Sequence, residues 1–292
     1  MKIIITIPAY NEEKTIVGVI KEIKEVMDET DYNYRILVIN DGSKDKTEKV
    51  AKQAGAIVFS HPANLGLAET FRTEMQKCLE EGADIIVHTD ADGQYQAKDI
   101  LKLIKEVENG FDLVLGDRFA GGIEKMPLMK KMGNKAFSRT ISRITNKKIN
   151  DCQTGFRAFT KEVAQKIIIK SDHTYTQEQI IKAVRQKYKI KEIPTYFSAR
   201  LGKSRLMRNP FEYAIKAWIN ILRIQRDYKP LKFFGSIGLF FMLLGIILGI
   251  WLVKLFLTTG KVGHLPSTIL CMLLIISGLQ ILFFGFLADM KR

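Results

Sequence analysis

The chain has 292 residues, a formal net charge of +14 at neutral pH and 47% hydrophobic residues, enough for a sizeable core in one or two domains. Its three cysteines, Cys78, Cys152 and Cys271, are too few and too scattered for a disulfide framework or a zinc centre. The basic balance suits anionic headgroups or phosphate substrates, although solubility and membrane orientation favour it too.

From the N-terminus, apolar runs predict strands at 2–8 (KIIITIP), 35–40, 56–60, 84–90 and 112–117. Amphipathic stretches between them predict helices over Glu12 to Asp28, 45–55, 67–82 and 97–110, several finishing at Gly. Continuous apolar runs that alternate with helices predict an α/β fold, a mostly parallel sheet covered on both faces. Ligands of such sheets gather beyond the carboxyl ends of the strands. The stretches PAYNEE, NDGS, DADGQ and GDRF all fall there. After Gly122 the pattern loosens into a basic helical segment (about 126–146), DCQTGFRAF and a short helix. TYTQEQIIKAVRQKY, a late strand KIKEIPTYF and the polar loop ARLGKSRL follow.

The last sixty or so residues change character. Phe233 to Val253 and Leu265 to Ala288 carry no charge, and each is long enough to cross a hydrocarbon core of roughly 30 Å as a helix. Two transmembrane spans are predicted at about 233–257 and 265–288, joined by TTGKVGH. Arg223, Arg226, Lys229 and Lys232 precede the pair and Lys291 and Arg292 follow it, which puts both ends in the cytoplasm. The N-terminus lacks the pattern of a secretory signal. Within Asn209 to Pro230, Phe211, Ala214, Ile215, Trp218, Ile219 and Leu222 recur at helical spacing. That pattern fits a helix lying in the membrane interface or one packed on the domain. The predicted organisation is a cytoplasmic catalytic domain (1–208), an interface helix (209–230) and a transmembrane hairpin (231–292), and two short spans favour a homo-oligomer.

The chemistry concentrates in IIVHTDADGQYQ. Alternate residues of an extended strand share a face, so Asp90 and Asp92 are expected on one side, with Gln94 in the turn that Gly93 opens. Two close carboxylates resist joint ionisation unless a cation lies between them. Hard oxygen donors suit Mg²⁺ or Mn²⁺. An EF-hand does not fit, because Gly93 is fourth and Leu101 twelfth in the run; a solvated acidic turn is the plain alternative. Neither a phosphate loop nor G-x-G-x-x-G follows the first strand, which argues against a phosphate-loop NTPase or a dinucleotide oxidoreductase. Tyr10 is suited to line a base pocket, and Asn11 and Glu12 to hydrogen bonding, or with Pro8 they simply turn the chain into a helix. His61, His88, His173 and His264 have no triad partners, and His88 falls nearest the site.

In their order, IPAYNEE, VINDGSKDKT, NLGLAET, DADGQ, GDRF, CQTGFRAF and ARLGKSRL resemble the family-2 glycosyltransferases of the GT-A fold. With the basic interface segment and the hairpin, the chain resembles the polyprenyl-phosphate glycosyltransferases, the dolichyl-phosphate mannose synthase group. The likeness covers about 1–208 by motif and the rest by architecture. It implies that Pro8, Tyr10, Asn11, Glu12, Asn40, Asp41 and Asp90 hold the nucleotide, Asn40 standing where the family usually has Asp. It implies a metal site of Asp90, Asp92 and Gln94 for Mg²⁺ or Mn²⁺, and catalytic roles for Asp92, Arg118 and Arg200. Around the acceptor phosphate it implies Arg118, Lys203 and Ser204, with Lys131 and Ser138 as a less regular match. The implied reaction is an inverting transfer of one hexose from GDP-mannose or a UDP-sugar to a polyprenyl or dolichyl phosphate. Alternatives are another membrane glycosyltransferase of polysaccharide or glycolipid synthesis, disfavoured by the lack of Q-x-x-R-W, and an inactive membrane-tethered binding protein. Nucleic acid is not an implied partner.

Overall fold

The run Ile3-Ile4-Ile5-Thr6-Ile7 is buried at every position, as a strand covered on both faces must be. It belongs to β1 (Lys2–Ala9), an inner strand of a seven-stranded sheet. The computed structural model describes residues 1–171, 175–199, 210–261 and 264–290. Within them the chain divides into two units, Met1–Phe211 and Glu212–Arg292.

In the first unit β1 is followed by α1 (Ile16–Asp28), β2 (Asn33–Asn40), α2 (Thr47–Gln53), β3 (Ile57–Ser60) and α3 (Leu67–Glu80). Next come β4 (Ile85–His88), α4 (Lys98–Glu108) and β5 (Leu113–Asp117). A single turn, α5 (Arg118–Gly121), leads to α6 (Leu128–Thr145), β6 (Arg157–Thr160), α7 (Lys161–Lys166), α8 (Thr176–Arg185) and β7 (Ile190–Pro194). The sheet order is β3-β2-β1-β4-β6-β5-β7. Every pairing is parallel except those of β6, which runs antiparallel to both β4 and β5. The expected α/β sheet is therefore present, mixed by one strand that the apolar pattern did not announce. That strand matters, because it carries the DCQTGFRAF motif into the middle of the sheet.

The helices dock through stripes of the right period. Ile100, Leu103, Ile104 and Val107 of α4 and Ile16, Val19, Ile20, Ile23 and Met27 of α1 are buried. They join Ile3, Ile5, Ile7 and Val114 of the sheet in one cluster. Each fully buried Ile or Leu stabilises the fold by about 1.5–3 kcal/mol.

The second unit contains α9 (Pro210–Tyr228), α10 (Pro230–Thr259) and α11 (Leu265–Met290). On α9 Ile215, Trp218 and Ile219 are exposed, whereas Ile221, Leu222 and Ile224 are half-buried. Pro230 opens α10, where its missing N–H costs nothing, and Gly260 at φ +64° closes it. Helices α10 and α11 are 30 and 26 residues long, and each holds an 18-residue stretch with a mean hydropathy of 2.5. At 1.5 Å per residue they reach about 45 and 39 Å, long and apolar enough to cross a membrane.

These two helices meet backbone to backbone. Gly238, Gly245, Gly278 and Gly285 are buried in their seam. A Cβ at Gly238 would lie 2.6 Å from the Gly278 carbonyl oxygen, and one at Gly278 would lie 2.7 Å from the Gly238 oxygen. Small residues permit this close approach of two helix backbones. Gly278→Leu is expected to part α10 from α11. Amide exchange should then quicken across 238–249 and 271–285 while β1 keeps its protection. Unchanged exchange in the hairpin would show that the seam yields without glycine.

Candidate active site

The ends of β1 and β2 are stitched into one framework. Asn11 adopts φ +54°, a left-handed conformation that Asn tolerates. Its N–H donates to Ser43 Oγ at 2.8 Å, and its Oδ1 accepts from the Lys44 N–H at 2.7 Å. The Glu12 N–H donates to Thr47 Oγ1 at 2.8 Å. Pro8 lies within β1, and the half-exposed Tyr10 stands just past its end. Asn40 is buried, with its amide donating to Ser60 Oγ at 3.0 Å and its oxygen accepting from the Ser43 N–H at 3.2 Å.

Asp41 points into the chain's own loop. Oδ1 accepts from the Leu65 N–H and Oδ2 from the Gly66 N–H, each at 2.9 Å. His61 Nδ1 lies 2.8 Å from Oδ1, and its Nε2 lies 2.9 Å from Thr73 Oγ1. Asp41 thus secures NLGLAET to the sheet, a role not read from the sequence. A base bound by this carboxylate shares oxygens that already hold the loop.

β4 stops at His88, so Asp90 and Asp92 occupy the turn beyond it rather than alternating along a strand. Asp92 Oδ1 accepts from the Gln94 N–H at 3.1 Å, and Gly93 takes φ +72°; together they shape the turn. Asp90 lies against Gly155, two residues before β6. A Cβ at residue 155 would lie 2.8 Å from Asp90 Oδ1 and 3.1 Å from Oδ2, so Gly155 leaves a cradle for the carboxylate. The Gln94 amide nitrogen donates to the Ser198 carbonyl at 2.9 Å, and the Ser198 N–H returns a bond to the Gln94 carbonyl at 2.8 Å. Only the side-chain oxygen of Gln94 is then chemically suited to a cation.

Among the described residues no group of three or more His, Cys, Asp or Glu side chains is arranged to hold a metal. Asp90 and Asp92, two residues apart in one turn, do not make an all-protein cage. They do fit Mg²⁺ or Mn²⁺, which take much of their shell from water and phosphate.

Arg118, expected on a phosphate, is buried against Asp151. Its Nε and Nη2 meet Asp151 Oδ2 and Oδ1 at 2.6 and 2.8 Å, and its ring neighbour is Phe197 at 5.0 Å. Burial opposes its charge, but Tyr95, Asp151 and Asp90 together raise its pKa above the ordinary value. With the Nε–Nη2 edge spent on Asp151, only the Nη1–Nη2 edge of the guanidinium is left to meet a phosphate while the pair persists. Lys131 is exposed on α6, whereas Ser138 is buried and accepts from the Cys152 N–H at 3.1 Å. Arg200, Lys203 and Ser204 lie outside the described residues. The segment before them is pinned, since Phe197 bridges to Tyr95 and Ile123, and the Ala199 N–H donates to Glu124.

Beneath this rim runs a buried polar chain. Thr6 Oγ1 donates to Glu74, Glu74 Oε2 lies 3.0 Å from His88 Nδ1 at a poor hydrogen-bond angle, and His88 Nε2 is 2.7 Å from the Tyr175 hydroxyl. Arg157, fully buried, donates to the Thr154 and Thr176 carbonyls and to Gln179 Oε1. Its guanidinium carbon lies 5.2 Å from the Tyr175 ring centroid. His88 is thus a core residue, sealed from any substrate.

Burial also pushes the Cys152 thiol and the Tyr95 phenol up to about 12 from ordinary values of 9.0 and 10.0. A folded pKa raised above the unfolded one gives stability that is complete below the unfolded value and lost as pH climbs to the folded one. Stability is therefore expected to decline between about pH 9 and 12. Urea melts at stepped pH should show a shallower decline for Cys152→Ala with Tyr95→Phe; an identical slope would locate the alkaline loss elsewhere.

The central sheet, its order and its strand-end motifs define a GT-A fold of the sugar-transferring kind. Residues 4–168 match Glycosyl transferase family 2, and the chain belongs to that family. It is 29% identical over 290 residues to Glycosyltransferase AglJ of Haloferax volcanii, covering 97% of this chain and 91% of that protein. To the UDP-N-acetylglucosamine–dolichyl-phosphate N-acetylglucosaminyltransferase of Methanococcus voltae it is 33% identical over 217 residues, covering 66% and 84%. A solved likeness is glucosyl-3-phosphoglycerate synthase from Mycobacterium tuberculosis in complex with Mn²⁺, uridine diphosphate and phosphoglyceric acid. It has a TM-score of 0.61 at 18% identity, covers 77% of each chain, and shares the fold. The protein is a glycosyltransferase.

Proposed function

We propose that this glycosyltransferase moves one hexose, with inversion, from GDP-mannose or a UDP-sugar to a membrane polyprenyl or dolichyl phosphate. The observation that carries the reading is the Asp90 carboxylate in its Gly155 cradle, two residues before Asp92 in the same turn, in a chain whose second unit bears two membrane-length apolar helices. The Methanococcus voltae relative, named for transfer to dolichyl phosphate, supports the acceptor class. In this reading residues 1–208 are the cytoplasmic catalytic domain, 209–230 an interface helix and 231–292 a membrane hairpin.

Asp90, Asp92 and the side-chain oxygen of Gln94 would hold Mg²⁺ or Mn²⁺, which when bound neutralises charge on the departing diphosphate. Pro8, Tyr10, Asn11, Glu12, Asn40 and Asp41 would wall the nucleotide. Arg118, Arg200, Lys131, Ser138, Lys203 and Ser204 would serve the two phosphate groups, Arg118 from its buried pair with Asp151. The acceptor needs no side-chain base. A phosphate monoester with a second pKa of about 6 is largely dianionic at neutral pH and is itself the nucleophile at the anomeric carbon. Its prenyl tail stays in the bilayer, since each exposed CH₂ costs about 0.8 kcal/mol.

One assay tests the reading. Full-chain protein is incubated with a short-chain polyprenyl phosphate and labelled GDP-mannose, UDP-glucose or UDP-N-acetylglucosamine, with and without chelator. Label is expected in the organic phase with one donor and not after chelation. Absence of extractable label with every donor would discard it.

A further inference from the structure

Helix α6 contains eighteen residues and no carboxylate. Lys131, Lys135, Arg139 and Arg143 recur every four residues, so they succeed one another along one side of it. Like charges at this spacing repel. Other helices of the unit answer their cations locally: Lys52 pairs with Glu48, Lys77 with Glu80, Lys166 with Glu162 and Lys182 with Glu178. Helix α6 has no such answer of its own.

The basic ridge borders a cleft of about 630 Å³ between α5, α6 and the loop that follows α6. Lys135, Arg139, Arg143 and Lys148 line it, all exposed, together with Ser138 and Asp117. Among the described residues Lys135, Arg139 and Lys148 make no ion pair with a carboxylate. The Lys135 ammonium instead lies 5.8 Å from the Phe119 ring centroid. The single acid, Asp117, is already engaged. Its Oδ1 accepts from the Phe119 and Ala120 N–H groups at 2.9 and 3.1 Å, and its Oδ2 from the Asn150 amide at 3.1 Å. The buried Ser138 hydroxyl is engaged with Cys152, accepting from its N–H and bonding its side chain.

We propose that this cleft is a second anion site, built for a phosphate monoester or diester group and separate from the site around Asp90 and Asp92. Neither Asp90, Asp92, Gln94 nor Arg118 lines it. Asp117 and Arg118 are neighbours whose side chains diverge, one to the cleft and the other to Asp151. Ser138 is the one lining residue that the family resemblance also implies near the acceptor, so separateness is part of what must be tested. Four cations suit phosphate oxygens, each bond being charge-assisted. A lipid headgroup and a soluble phosphate present the same group.

The test uses full-chain protein in neutral detergent micelles, with binding read by native mass spectrometry. The probes are dioctanoyl phosphatidylglycerol and inorganic phosphate, with dioctanoylglycerol as the phosphate-free control. The variant Lys135→Glu/Arg139→Glu is compared with Lys49→Glu/Lys105→Glu, which makes the same change of charge at exposed residues outside the cleft. Phosphatidylglycerol or phosphate is expected to bind wild type and the distant variant alike, and the cleft variant roughly tenfold more weakly. Competition by inorganic phosphate assigns a soluble ligand and its failure assigns a headgroup; either supports the site. Equal affinity in all three proteins, an equal loss in both variants, or binding of the phosphate-free control overturns it. Sugar transfer by the cleft variant should stay within about twofold of wild type, and its loss together with binding would overturn the separateness of the two sites.

Discussion

Asp151→Ala is expected to lower the stability of the first unit by about 3–5 kcal/mol, among the largest effects of any single change outside the apolar core. Asp151 is fully buried and Arg118 is 5% exposed, so neither group retains water to fall back on. Their two contacts are parallel and short, and the Arg118 N–H adds a third at 3.3 Å. Removing the carboxylate strands a buried guanidinium, which costs far more than the net value of the pair. For a unit of this size the melting temperature should fall by roughly 6–20 °C. Asp151→Asn keeps the shape and should cost less. The informative comparison is Arg118→Met with Asp151→Leu, which removes both charges and should recover much of the loss. Amide exchange over β5 and β6, the strands that flank the pair, measures it directly. A loss under about 1 kcal/mol for Asp151→Ala would mean that water reaches Arg118 and that the pair is not sealed.

The parallel half of the sheet was legible because nothing in it contradicts local preference. Ile3 to Ile5, Leu37 to Ile39 and Ile85 to Val87 are continuous apolar runs, and the helices between them carry clean stripes. β6 was not legible, and Arg157 shows why. A strand of four residues that begins with a cation reads as a surface loop. It becomes a central strand only because the Thr154 and Thr176 carbonyls, Gln179 and the Tyr175 ring satisfy that cation. Those partners lie along a stretch that carries no local mark of them. The same limit applies at the site. The sequence places Asp90 and Asp92 past the end of β4, but strand alternation was the wrong reason for it. The turn is shaped by the Gln94 N–H, and the Asp90 carboxylate fills the space that Gly155 leaves. Arg118 was read for its affinity for phosphate, and its partner Asp151 sat unremarked in a motif valued for family likeness. Long-range polar partners leave no period in a sequence. The hairpin was legible in outline, since uncharged length suffices, while its glycine seam emerges only when α10 and α11 are brought together.

Gly155→Ala is expected to reduce sugar transfer by roughly 10²-fold, the penalty that a misplacement of about 1 Å can impose on a reacting constellation. The new Cβ would stand 2.8 Å from Asp90 Oδ1, closer than two such atoms can remain. The residue is not at a positive φ, so alanine is not strained by its backbone. The obstructing atoms are the end of a side chain, and Asp90 can turn away. The fold should therefore survive, with a melt close to that of wild type, while the carboxylate leaves its position at the rim. Asp92→Ala works differently. It deletes an oxygen and the Asp92–Gln94 turn bond together, and transfer should fall by roughly 10²–10³-fold, as when one charge-stabilising group is lost. A double-mutant cycle separates the cradle from other effects of crowding. If Gly155 acts only through Asp90, adding Gly155→Ala to Asp90→Asn should cost almost nothing further. Wild-type transfer by Gly155→Ala would show that the Asp90 carboxylate can be displaced without consequence, and Asp90 would then have no place in the chemistry.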